Sequence, residues 1–223
     1  FKTYRYIQLD IETGAAPLVV EDLYGIYTGY PFDVRGSFES DDPALEKIWE
    51  TGWRTARLCA HETYFDCPYY EQLQYAGDTR IQALISLYVS GDDRLVRKAI
   101  RMYDLSRSYE GITCSRYPSH IPQYIPPFSL YWIGMIHDYW MHRSDDAFVR
   151  SFLPGIRTVL SWFTEKIDPH TGLLKNGLPH WNFTDWATSW ERGIAPESDS
   201  SGSAITTLQL AAALDDAADL MRR

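Results

Sequence analysis

The densest chemistry in the sequence lies in Asp66-Cys67-Pro68-Tyr69-Tyr70-Glu71-Gln72-Leu73-Gln74-Tyr75-Ala76-Gly77-Asp78, thirteen residues with three carboxylates and no Lys or Arg. Pro68 and Gly77 interrupt any continuous helix here, which puts the acids on a rigid turn between helices rather than on a solvated face. Glu71 and Asp78 are seven apart, close to two helical turns, so wherever the segment is helical they project on one side. Like charges so placed raise one another's pKa, as a general acid working near neutral pH requires. The plainer alternative is that Asp78 only caps the helix starting there, with Asp66 and Glu71 as surface acids. The five aromatic residues Tyr64, Phe65, Tyr69, Tyr70 and Tyr75 weigh against it, because they suit a pocket better than a solvated face.

A second constellation, Pro179-His180-Trp181-Asn182-Phe183-Thr184-Asp185-Trp186, with Trp190 and Glu191 beyond, combines indole faces with Asp and Asn. Trp rings cover the apolar face of a sugar while carboxylate and amide groups take its hydroxyls, so the mixture fits a sugar subsite. The competing reading is that these indoles plug the end of a helical barrel. His61-Glu62 and His137-Asp138 lack a third ligand at metal spacing, so no metal site is expected, and no glycine-rich phosphate loop points to a nucleotide or any other cofactor. No G-x-S-x-G element marks a hydrolase triad.

The elements that must hold these groups follow from periodicity. Ile7, Leu9 and Ile11 alternate with polar residues and Leu18 to Tyr30 is β-branched and aromatic, so residues 1–36 are expected as the terminal strands of a β-sandwich domain. From Ser40 the period becomes 3.6. Asp42-Pro43 starts a helix carrying Leu45, Ile48, Trp49, Trp53 and Ala56, and further helices are expected at 78–90, 93–106, 128–142, 145–167 and 203–221. Pro154 kinks or splits the fifth. Two long connections, about 107–127 and 168–200, are candidates for function.

Composition narrows the partners. With 21 Lys+Arg against 30 Asp+Glu the formal charge is −9, which argues against nucleic acid. No apolar run approaches the roughly 20 residues of a membrane span. Eight Trp and 16 Tyr favour carbohydrate among ligands. Cys59, Cys67 and Cys114 cannot all pair and read as reduced thiols. Compartment and oligomeric state are open, and no signal peptide is visible at the first residues.

The pattern Asp-Cys-Pro-x-x-Glu-x-x-x-aromatic-x-Gly-Asp, preceded by Tyr30-Pro31-Phe32-Asp33-Val34-Arg35-Gly36-Ser37-Phe38-Glu39-Ser40, resembles the bacterial α-L-rhamnosidases. The resemblance implies an (α/α)6 six-hairpin toroid, about half of it present in 37–223, and an inverting hydrolase acting on rhamnose-containing oligosaccharides, polysaccharides or glycosides. It implies Glu71 as general acid, with Asp66 and Asp78 on ring hydroxyls, Tyr75 as a stacking surface, and Trp181, Asp185 and Trp186 as further substrate contacts. Many members carry Arg immediately before the catalytic Glu; Tyr70 stands there in this chain, and the lost cation is expected to favour protonated Glu71. The general base is expected beyond Arg223, or else at Glu191 or Glu197. Another six-hairpin glycosidase acting on a glucoside or glucuronide, and a non-catalytic glycan-binding helical domain, are the alternatives. Half a toroid is further expected to leave apolar inner faces uncovered around Trp49, Trp53, Trp132 and Leu208, and to be inactive alone.

Overall fold

A computed structural model describes residues 2–197 and 202–222. Its helices are α1 (Pro43–Leu58), α2 (Ala76–Val89), α3 (Arg94–Leu105), α4 (Pro126–His142), the single-turn α5 (Asp146–Arg150), α6 (Leu153–Thr164) and α7 (Ala204–Met221). The Asp42 carboxylate accepts from Ala44 N–H at 2.9 Å, with Pro43 at the first helical position, which fixes the start of α1. The segment expected as one helix at 145–167 is split into α5 and α6, and Pro154 opens the second piece, where its missing N–H costs nothing. α2 ends where the N–H groups of Ser90 and Gly91 both donate to the Ser86 carbonyl, and Gly91 takes the left-handed φ of +70°.

Packing orders the helices in pairs: α1 with α2, α3 with α4, α6 with α7. One member of each pair also meets the next, α2 against α4 and α4 against α7, so these three make a continuous inner layer. Three hairpins are half of a six-hairpin ring. α4 is the hub, and its Leu130, Trp132, Ile133, Met135, Ile136 and Tyr139 are all buried. Trp132 is therefore not the uncovered inner-face residue expected: it is fully buried and its indole donates to the Ile100 carbonyl at 3.0 Å. Trp49 and Trp53 are partly covered by Phe38 and Phe32, while Leu208 remains 70% exposed.

The two stretches expected as strands form no ladder among the described residues. None of the described residues from 2 to 42 is in a helix or strand, because a strand exists only with a hydrogen-bonded partner and the helical body offers none. Residues 30–36 instead dock on the helices: Tyr30 N–H donates to the Ala60 carbonyl at 2.8 Å, and Arg35 and Gly36 N–H to the Val89 carbonyl at 2.8 and 2.7 Å.

Candidate active site

The acid-rich segment connects α1 to α2 and is folded by its own side chains. Asp66 N–H donates to the Leu73 carbonyl at 2.8 Å while Asp66 Oδ1 accepts from Leu73 N–H at 2.9 Å, closing 66–73 into a loop. Inside it the Gln72 side-chain amide donates to the Pro68 carbonyl at 2.9 Å, and Gln72 takes a φ of +56°. Glu71 thus sits on a turn, not on a helix, and only Asp78 of the pair spaced by seven is helical. Gly77 does not break α2 but lies in its first turn, where the bare Cα lets the Phe128 ring of α4 pack against it. Asp78 is not the cap: Tyr75 occupies that position with extended backbone, and no side chain caps the helix. Asp78 instead turns a half-buried carboxylate from the first turn into a cavity.

That cavity, about 560 Å³, is lined by all seven residues singled out in the sequence: Asp66, Glu71, Tyr75, Asp78, Trp181, Asp185 and Trp186. Asp66, Glu71 and Asp78 share it with Asp185, and its apolar lining comes from Ile81 and Leu84 of α2, Ile125 and Phe128 at the start of α4, and Phe183. Of the five tyrosines and phenylalanines counted toward a pocket, only Tyr75 lines it. Tyr64 is buried in the core with its hydroxyl 2.5 Å from that of Ser86, and Tyr69 and Tyr70 face solvent, since the turn at Pro68 carries them outward.

The second wall is the loop before α7. Thr184 and Asp185 N–H both donate to the Gly193 carbonyl at 2.8 and 3.2 Å, and the Trp181 indole donates to the Arg192 carbonyl at 3.0 Å. Gly193, at φ +70°, leaves room for the Phe183 ring, which any Cβ would overlap. The rings of Trp181, Phe183 and Trp186 lie 5.0 to 6.3 Å apart as a cluster, with Trp186 itself 72% exposed. These indoles edge the cavity, and Trp181 also packs against the hydrophobic core. Glu191 and Glu197 do not line it; Glu197 accepts from Gly177 N–H at 3.1 Å.

Electrostatics separate the acids. Burial, assisted by the carboxylates of Asp66, Glu71 and Asp185 and opposed by its own backbone N–H, pushes Asp78 up to about 6. Burial, and next its donation to the Glu71 carboxylate, pushes the Tyr75 phenol up to about 12, so it remains a donor. Tyr75 Oη donates to Glu71 Oε2 at 2.7 Å. The environment without a cation expected for Glu71 is not what the structure holds: Arg116 Nη1 lies 3.8 Å from Glu71 Oε2. Arg116 belongs to the long 107–127 connection that loop length had flagged, but nothing in its local sequence marked it. The same holds for Arg80, on the cavity wall, whose guanidinium is engaged by Asp138 at 2.6 and 3.2 Å.

Paired helices thus hold an acid-rich, aromatic-edged cavity at the starts of α2 and α4, and comparison with known proteins gives the class, a six-hairpin glycosidase domain. Residues 33–222 match the bacterial alpha-L-rhamnosidase 6 hairpin glycosidase domain, and the chain belongs to that family. Among solved structures it is similar to a GH78 family rhamnosidase of Bacillus sp. GL1 (TM-score 0.77, 30% identity, covering 87% of this chain and 19% of that one). A rhamnosidase from Klebsiella oxytoca with rhamnose bound shares the fold at TM-score 0.71 and 23% identity, over 82% of this chain and 35% of that one. An α-L-rhamnosidase from Dictyoglomus thermophilum does so at 0.69 and 14%, over 87% and 21%. The chain thus spans a fifth to a third of the length of these relatives. No curated protein matches it.

Proposed function

We propose that this chain supplies the acid side of a glycosidase cavity that releases terminal α-L-rhamnose with inversion. The observation that carries the reading is the mixed lining of the cavity: the carboxylates of Asp66, Glu71 and Asp78 together with the apolar side chains of Ile81, Leu84, Ile125, Phe128 and Phe183. A 6-deoxyhexose presents ring hydroxyls, which want carboxylate acceptors, and a methyl group, which wants an apolar wall. A glucuronide would want a cation turned to the ligand, but among the described residues that line the cavity the cation is Arg80, and it is paired with Asp138.

In this reading Glu71 protonates the glycosidic oxygen as its bond to the anomeric carbon breaks, and Asp66 and Asp78 hold ring hydroxyls. Tyr75, Trp181, Asp185 and Trp186 line the sugar's remaining faces. Inversion calls for a second carboxylate about 6.5 to 9.5 Å from the acid, with a water between it and the opposite ring face. We place that base downstream of Arg223, on the strength of the family resemblance.

The test is hydrolysis of an aryl α-L-rhamnoside by the full-length protein, beside the matching α-glucoside and glucuronide, with the first-formed anomer followed by NMR. Release of β-L-rhamnose from the rhamnoside alone is expected. Retention, or preference for another glycoside, refutes the proposal. Glu71→Gln should lower turnover by roughly 10²- to 10⁴-fold, the usual contribution of a positioned acid. If the domain only binds glycans, there is no turnover to lose.

A further inference from the structure

Between α3 and α4 the chain passes antiparallel to the residues that precede α2. Tyr75 and Arg116 form a bridge, Ala76 N–H donates to the Ser115 carbonyl at 2.9 Å, and Tyr117 N–H donates to the Gln74 carbonyl at 3.1 Å. The Gln74 side-chain amide, itself buried, adds a bond to the Tyr117 carbonyl at 2.7 Å. This short pairing delivers Arg116 to Tyr75 and Glu71, two residues that line the cavity. Its Nη1 donates to Tyr75 Oη at 2.7 Å, its guanidinium carbon stands 5.5 Å from the centre of the Tyr75 ring, and its side chain is only 18% exposed.

The hydrogen bonds run in one direction: Arg116 N–H to Tyr75 oxygen, Tyr75 O–H to Glu71 Oε2. Arg116 has no acceptor, so it always donates to Tyr75 Oη, and by filling that oxygen it favours the phenol O–H turned toward Glu71. Oε2 is therefore the accepting oxygen of Glu71, and a proton carried by this carboxyl belongs on Oε1. Resting on the reading of Glu71 as the general acid, we infer that Arg116 is a positioning residue for proton donation, acting through Tyr75 to fix Oε1 as the proton-bearing oxygen and to receive the charge left on Oε2. In the step, the Oε1–H bond breaks and its proton bonds to the glycosidic oxygen. The pair that joined this oxygen to the anomeric carbon leaves with the aglycone, and the new carboxylate faces the Tyr75 hydroxyl and the Arg116 cation.

Leaving-group dependence tests this, because a poor leaving group needs the acid and an activated one does not. The full-length protein and its Glu71→Gln, Tyr75→Phe, Arg116→Gln and Arg116→Lys variants are compared on phenyl and 2,4-dinitrophenyl α-L-rhamnosides. Arg116→Gln and Tyr75→Phe are expected to lower kcat/KM about 10- to 100-fold on the phenyl substrate and less than about threefold on the dinitrophenyl one, with Arg116→Lys recovering part of the loss. Equal losses on both substrates, or none on either, overturn the inference while Glu71→Gln still shows the contrast. If Arg116→Gln fails to fold, the near-isosteric Tyr75→Phe decides alone. A wild type that cleaves neither substrate sinks the rhamnosidase reading itself, and this inference with it.

Discussion

Arg80 of α2 and Asp138 of α4 are joined by two N–H···O contacts of 2.6 and 3.2 Å that pass over the bare Cα of Gly134. The pair joins the two inner-layer helices whose starts carry Asp78 and Phe128, both of which line the cavity. Both side chains are mostly sheltered, 30% and 18% exposed, and loss of one partner leaves the other poorly solvated. Arg80→Met is expected to destabilise the protein by about 1–3 kcal/mol, and Arg80→Met with Asp138→Leu by less than the single change. A double-mutant cycle in urea checks this; additive losses would show that the pair is not coupled. Gly134→Ala should behave like Arg80→Met, because the new methyl occupies the space of the guanidinium.

Asp78 sits near 6 in the folded protein against 3.8 for a free carboxyl. Its proton is held more tightly folded than unfolded, so its contribution to stability is fully present below about pH 4 and is lost as the pH rises through 6. Asp78→Asn, which cannot ionise, is expected to raise stability at pH 7.5 by on the order of 2 kcal/mol and to leave it nearly unchanged at pH 3.5. The same change should cut activity, the trade expected where like charges are gathered for a ligand. Melting curves at the two pH values decide it: a loss of stability at pH 7.5 would contradict the burial argument.

Trp186 is mostly exposed at the cavity edge, and its packing partners are Trp181 and Phe183. Removing its ring should therefore cost little stability, within about 0.5 kcal/mol, since surface changes usually do. It should raise KM for a rhamnoside about three- to tenfold with kcat little changed, the worth of one stacking face. Steady-state kinetics beside a thermal melt separate the two effects. An unchanged KM would remove Trp186 from the subsite.

Much of the site was legible because local rules wrote it. The closing of 66–73 by Asp66 and Leu73 and the turn at Pro68 are both made by residues within thirteen positions, so their types and spacing announce the acids. The Asp42-Pro43 start, the split at Pro154 and the apolar periods of α3 and α4 were legible for the same reason, since helix ends and amphipathic faces are properties of near neighbours. Strand patterning in 2–36 was also visible, but a strand's hydrogen bonds belong to its partner, and the described residues supply none. Whether Asp66, Glu71 and Asp78 would face the Trp181–Trp186 loop across one cavity was a matter of packing, decided where α2, α4 and α7 form one layer. Tertiary structure also decided the cation. Arg116 stands outside the acid segment, in a loop with no motif, and it reaches Glu71 only because the residues before α2 pair with the approach to α4. It decided Trp132 as well, which the half-toroid expectation left on an uncovered face and which α4's central position buries completely. Sequence specifies what a residue can do with the few neighbours the backbone guarantees it; which distant groups share its cavity depends on a layer of helices closing, and that is settled by the summed burial of side chains that no single segment contains.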